Sequence, residues 1–106
     1  MDTAKVLRKD KALNLVRRYK EVIAPRFAPE TKVMMFGSYA KGHPHEWSDI
    51  DVAVIVPKID SGKRFDTAVA LNQEVDKISL LIEPILLENG EDSPIYREVM
   101  RTGVFV

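Results

Sequence analysis

The chain has 106 residues, enough for one compact domain over 1–106 but not for two with adequate cores. Its 45% hydrophobic content contains no run near the roughly 20 apolar residues of a membrane helix, and without cysteine it has neither disulfides nor thiolate metal sites. The formal net charge is zero, yet residues 1–41 carry ten Lys and Arg against four Asp and Glu, while residues 42–106 carry six against twelve. Such a basic half reads either as a solvated helix face or as a surface for an anionic partner, protein or nucleic acid. The basic N-terminus, MDTAKVLRKDKAL, lacks the apolar stretch of a secretory signal, so a cytoplasmic location is expected.

In chain order, Val6, Ala12, Leu13, Val16, Tyr19, Val22 and Ile23 recur near helical spacing and predict a helix from Thr3 to Ala24. Asp2 or Thr3 would cap it and Pro25 would end it. Lys32 to Phe36 (KVMMF) predicts a buried strand closed by Gly37. Ile50 to Val56 (IDVAVIV) predicts a second strand, rich in β-branched residues and ended by Pro57. A helix to about Lys77 follows, with Phe65, Ala68, Leu71, Val75 and Ile78 as its apolar stripe. Leu80 to Leu87 (LLIEPILL) predicts a third strand, placed by Pro84 at a sheet edge or a bulge. Ser93-Pro94 opens a last helix that Gly103 closes, and VFV offers a final short strand. The expected fold class is an α/β sandwich around a small mixed sheet.

The chemistry concentrates between Gly37 and Val56, GSYAKGHPHEWSDIDVAVIV. Gly37-Ser38 directly after a strand permits a tight turn and offers a hydroxyl beside free amides. A helical turn over Ser38 to Lys41 would aim N–H groups at an anion such as a phosphate. Asp49 and Asp51 flank Ile50, and strand alternation sets the two carboxylates on one face, with their Cα atoms about 6–7 Å apart. Ile50, Val52 and Val54 then face the core. Paired carboxylates repel unless cations lie between them, and such hard oxygen donors suit Mg²⁺. Glu83 is the lone acid of an otherwise apolar strand, so a cation or strong donor is expected beside it, unless it lies on an exposed edge. His43-Pro44-His45-Glu46 is a poor tetrahedral framework and reads as loop surface. Trp47 reads as packing at the loop root.

This pattern, Gly-Ser, ten residues, Asp-x-Asp and a later strand acid, resembles the DNA polymerase β-type nucleotidyltransferase superfamily. Within it, the chain looks most like the minimal nucleotidyltransferases that act as antitoxins beside a small helical HEPN-type partner. The resemblance implies a polymerase β-like fold and transfer of a nucleoside monophosphate from a nucleoside triphosphate such as ATP to an acceptor hydroxyl. Asp49, Asp51 and Glu83 would hold two Mg²⁺ ions and act as the catalytic acids. Gly37, Ser38 and Lys41 would bind the phosphates, with the acceptor on the partner protein. Two departures from the resembling family stand out: Glu83 where relatives often carry Asp, and Tyr39 and Lys41 where many carry arginine. A non-catalytic partner-binding subunit of the same fold is the competing reading, and self-association is open.

Overall fold

The structure, a computed structural model, describes residues 7–45 and 48–106. The first helix, α1, runs from Lys9 to Ile23 and buries Ala12, Val16, Tyr19 and Ile23. It starts later than its periodicity suggests, because Leu7 and Arg8 are not helical. Arg8 is extended and supplies no side-chain cap, and the Leu7 amide donates to the Tyr39 hydroxyl at 3.1 Å. That bond draws the chain onto the core instead of into another helical turn. The expected caps Asp2 and Thr3 lie outside the described residues.

After a short 3₁₀ turn over Ala24–Arg26, strand β1 (Lys32–Phe36) leads straight into α2 (Gly37–Lys41), a single helical turn. Strand β2 (Ile50–Val56) follows, then α3 (Arg64–Gln73), β3 (Ile82–Glu88), α4 (Pro94–Thr102) and the short β4 (Val104–Phe105). The expected second long helix thus ends at Gln73, and Val75–Lys77 continue as a 3₁₀ turn. Ser93 caps α4 by accepting from the Tyr96 amide at 3.2 Å, with Pro94 at the first helical position as expected. At Gly103 a Cβ would stand 2.6 Å from the Val99 carbonyl, so the helix stops at a residue without one.

The sheet order is β3-β2-β1-β4. β1 runs antiparallel to both β2 and β4, while β2 and β3 are parallel. The sheet is therefore mixed, and Pro84 sits on an edge strand, where its missing N–H breaks no ladder. Val33, Met35, Ile50, Val52, Val54, Val56, Ile82 and Leu86 pack on one face against α1 and against Leu71 and Val75. Met34, Phe36, Ala53, Ile55 and Leu87 pack on the other face against Val99 of α4. Phe65 does not join either core: it is 77% exposed. Arg64 meets the sheet in its place, donating to the Leu86 carbonyl at 3.4 Å. Among the described residues no helix is long and apolar enough to cross a membrane.

The join between α1 and the 3₁₀ turn after α3 carries a buried acid. Glu74 is 3% exposed and pairs with Lys77 at 2.7 Å and Arg26 at 2.8 Å. The Lys77 bond, then the two positive charges, outweigh burial and hold its carboxyl below the usual 4.5. A depressed folded value adds stability above the unfolded value and loses it as pH falls through the folded one. Wild type should therefore melt above Glu74→Gln at pH 7, and the gap should close as pH drops below about 4.5. Melting curves of both proteins from pH 7 to pH 3 test this, and a gap that widens on acidification would contradict it.

Candidate functional site

Asp51 occupies the second position of β2, on the sheet face it shares with Ala53 and Ile55 beneath α4. Ile50, Val52 and Val54 point the other way and are fully buried, as the alternation requires. In register, Asp51 stands between Phe36 of β1 and Glu83 of β3. Neighbouring strands lie about 4.8 Å apart, so the Asp51 and Glu83 side chains emerge beside each other on the same face. Asp49 precedes the strand and is exposed. The three expected acids thus gather at the end of β2 where β1 turns into α2.

The charges register this crowding. Burial first, then the charges of Glu83 and Asp49, push the Asp51 carboxyl above its usual range. Glu83 itself is exposed, although Leu87 on the same face of the edge strand β3 is buried. Of the two openings for Glu83, a buried acid with a partner or an exposed edge position, the structure shows the second, and what singles it out is its place beside Asp51.

Gly37 closes the other side of the site. Its φ of +74° is left-handed, and a Cβ there would fall onto the Asp51 carboxylate, only 3.0 Å from its Cγ. The missing side chain lets the start of α2 pack directly on Asp51. Ser38 follows, half-buried, in the first turn of α2. Lys41 ends the turn, and its Nζ lies 3.3 Å from Glu98 of α4. Sequence reasoning missed this pairing, and it also missed Ser48. Ser48 is 6% exposed, accepts from the His45 amide at 2.8 Å and donates its own amide to the His45 carbonyl at 2.9 Å. These two hydrogen bonds tie Ser48 to His45 just before Asp49. A serine immediately before an Asp-x-Asp strand was the available signal. His43 and His45 are exposed, and Glu46 and Trp47 lie outside the described residues.

Asp49, Asp51 and Glu83 offer the hard oxygen donors that a divalent cation takes. Among the described residues no group of three or more His, Asp or Glu side chains is arranged to hold a metal ion as it stands. Three neighbouring acids, one with a raised carboxyl, still leave a concentration of negative charge that a cation would relieve. Mg²⁺ suits such a partial shell because it keeps waters and takes phosphate oxygens. A depression of about 370 Å³ between Phe27, Lys58 and Lys63 lies at the other end of β2, away from these acids. Its lining offers cations but no carboxylate pair.

Residues 16–102 match the family of nucleotidyltransferase domains. A Methanocaldococcus jannaschii protein named as a proposed protein adenylyltransferase is 27% identical over 96 residues, 89% of this chain and 97% of that protein. A crystal structure of a proposed nucleotidyltransferase from Sulfolobus solfataricus superposes with a TM-score of 0.72 at 24% identity, covering 92% of this chain and 81% of the other. That likeness is one of fold. A tri-AMPylated HEPN toxin in complex with an MNT antitoxin from Shewanella oneidensis matches at a TM-score of 0.45 and 22% identity, over 95% of this chain and 70% of the other.

Proposed function

We infer the function from one premise: this chain belongs to the family of nucleotidyltransferase domains. It moves a nucleoside monophosphate, with ATP the expected donor, onto a hydroxyl of a partner protein. The observation that carries this reading is the packing of the Gly37 turn onto Asp51, with Glu83 beside Asp51 in register. One short surface then presents a phosphate-binding turn and a carboxylate cluster together. The M. jannaschii relative supports a protein acceptor and an adenylyl donor, through the activity its name proposes.

Asp49, Asp51 and Glu83 would hold two Mg²⁺ ions, which when bound neutralise the triphosphate and polarise the attacking oxygen. The backbone of α2 and the Ser38 hydroxyl bind the β and γ phosphates, and Gly37 allows their close approach. The acceptor oxygen forms a bond to the α-phosphorus as the bond to the β-phosphate oxygen breaks. Pyrophosphate leaves. Glu83, exposed beside Asp51, would help to activate the hydroxyl and take up its proton.

The partner we propose is a small helical protein of the HEPN type, as the sequence resemblance implies, with this chain as its antitoxin. Lys11 and Arg18 on the outer face of α1 form no ion pair among the described residues, so they offer positive charge to an acidic patch. The test is transfer of label from α-labelled ATP, with pyrophosphate release, in the complex isolated from the native host at low salt. Screening beyond about 8 Å at 0.15 M should loosen that complex as salt rises. Binding of a partner with no Mg²⁺-dependent label transfer would support the non-catalytic reading instead. A protein that is always alone and modifies a free small molecule would remove the partner.

Glu83→Gln should lower transfer at least tenfold with a change in stability within about 0.5 kcal/mol, since the residue is exposed. Glu83→Asp should keep part of the rate, because it withdraws the carboxylate by only about 1.5 Å. An unchanged rate in Glu83→Gln would reduce the site to the Asp49/Asp51 pair.

A further inference from the structure

Lys41 is the only basic residue of α2, the turn that the proposed function assigns to the phosphates. Its ammonium is not directed freely into solvent: Nζ stands 3.3 Å from Glu98 Oε2, across the gap between α2 and α4. Glu98 is held more closely by its own helix. Arg101 Nη2 lies 2.6 Å from Glu98 Oε1, and the Thr102 hydroxyl is 3.4 Å from Oε2. The bond to Arg101, then that to Lys41, keeps the Glu98 carboxyl below its usual range, so it is ionised at neutral pH.

The two cations are not equivalent. Arg101 is three residues along the same helix, and its pairing with Glu98 does not depend on α2. Lys41 makes the longer contact, and losing it would leave Glu98 still paired. Both side chains of the Lys41–Glu98 pair are partly exposed, at 47% and 35%, so the contact is weak and its exchange is cheap. A triphosphate carries several negative charges and competes well for one such ammonium. Meanwhile the rest of α2 is fixed, since Lys9 donates to the Ala40 carbonyl at 3.1 Å and Tyr39 accepts from Leu7.

We propose that Lys41 is a transferable cation, held by Glu98 in the empty protein and handed to the triphosphate, while Arg101 keeps the carboxylate paired. Glu98 is then a positioning residue that competes with the nucleotide for Lys41. This rests on the nucleotide-binding reading above. It goes beyond that reading by predicting that removing an acid on a neighbouring helix strengthens binding, whereas a plain structural clasp predicts that removing it weakens binding or leaves it alone.

The experiment is calorimetric titration of ATP in EDTA, so that no metal contributes, with melting curves to establish that each variant is folded. Glu98→Gln should bind ATP roughly two- to fivefold tighter than wild type, the span of an exposed ion pair. Arg101→Gln should bind more weakly by a similar factor, because Glu98 then depends on Lys41 alone. Arg101→Lys should restore wild-type affinity. Both shifts should vanish in a Lys41→Gln background. If wild type binds ATP but Glu98→Gln binds it no better, or gains equally without Lys41, the hand-over is wrong and the nucleotide site stands. If wild type binds no ATP, with or without Mg²⁺, the proposed function falls and this inference falls with it.

Discussion

Asp51→Asn is expected to cut Mg²⁺-dependent transfer by about a thousandfold or more and to leave the fold intact. The asparagine keeps the shape of the side chain but loses the charge that would hold a cation between Asp51, Asp49 and Glu83. A metal clamp on a transferring phosphoryl group is worth several kcal/mol, and each 1.36 kcal/mol is a factor of ten in rate. The same change should be neutral or mildly stabilising in EDTA. Asp51 is half-buried beside two other acids, which already disfavour its charged form. Removing that charge relieves the repulsion and breaks no ion pair among the described residues. Label transfer and melting temperature, measured on the same preparation, separate the two effects. A variant that melts as wild type and transfers at the wild-type rate would end the assignment of this site. Asp49→Asn should behave similarly in activity, with a smaller effect on stability because Asp49 is exposed.

The Asp-x-Asp strand and the Gly-Ser turn were legible in the sequence because their geometry is local. Alternation along β2 sends Ile50, Val52 and Val54 into one core whatever the rest of the fold does, and this leaves Asp51 on the other face. Gly37, directly after an apolar strand, similarly announced a turn. Features set by tertiary neighbours were not legible. Pro84 in LLIEPILL points to an edge or a bulge, and β3 is the edge strand, but whether Glu83 is covered depends on what packs over its face of the sheet, which no local pattern encodes. Phe65 fits a helical stripe, but it is exposed, and at the start of α3 it is Arg64 that reaches the sheet. The start of α1 is decided by a hydrogen bond to Tyr39, which no local pattern encodes. The Lys41–Glu98 pair joins two helices far apart in sequence and could be seen only once α4 was folded against α2.

Gly37→Ala should be damaging, because two independent effects meet there. The first is conformational. At φ +74° an alanine pays about 1–2 kcal/mol for the left-handed region. The second is steric, since the new Cβ would overlap the Asp51 carboxylate, so either that side chain turns away or β1 and β2 move apart. A turned Asp51 no longer faces Glu83, and a displaced α2 no longer presents its amides to the phosphates. Both routes should reduce transfer by about a hundredfold or more, the scale on which a misplacement of about 1 Å acts. Gly42 supplies the control. It has a similar φ of +81°, but a Cβ there meets nothing within 4 Å. Gly42→Ala should therefore lose comparable stability to the backbone term while keeping most of its transfer rate. Thermal melts and initial rates of both alanine variants separate strain from site geometry. If both lose activity in proportion to their stability, Gly37 matters only as a flexible residue, and its close approach to Asp51 has no catalytic meaning.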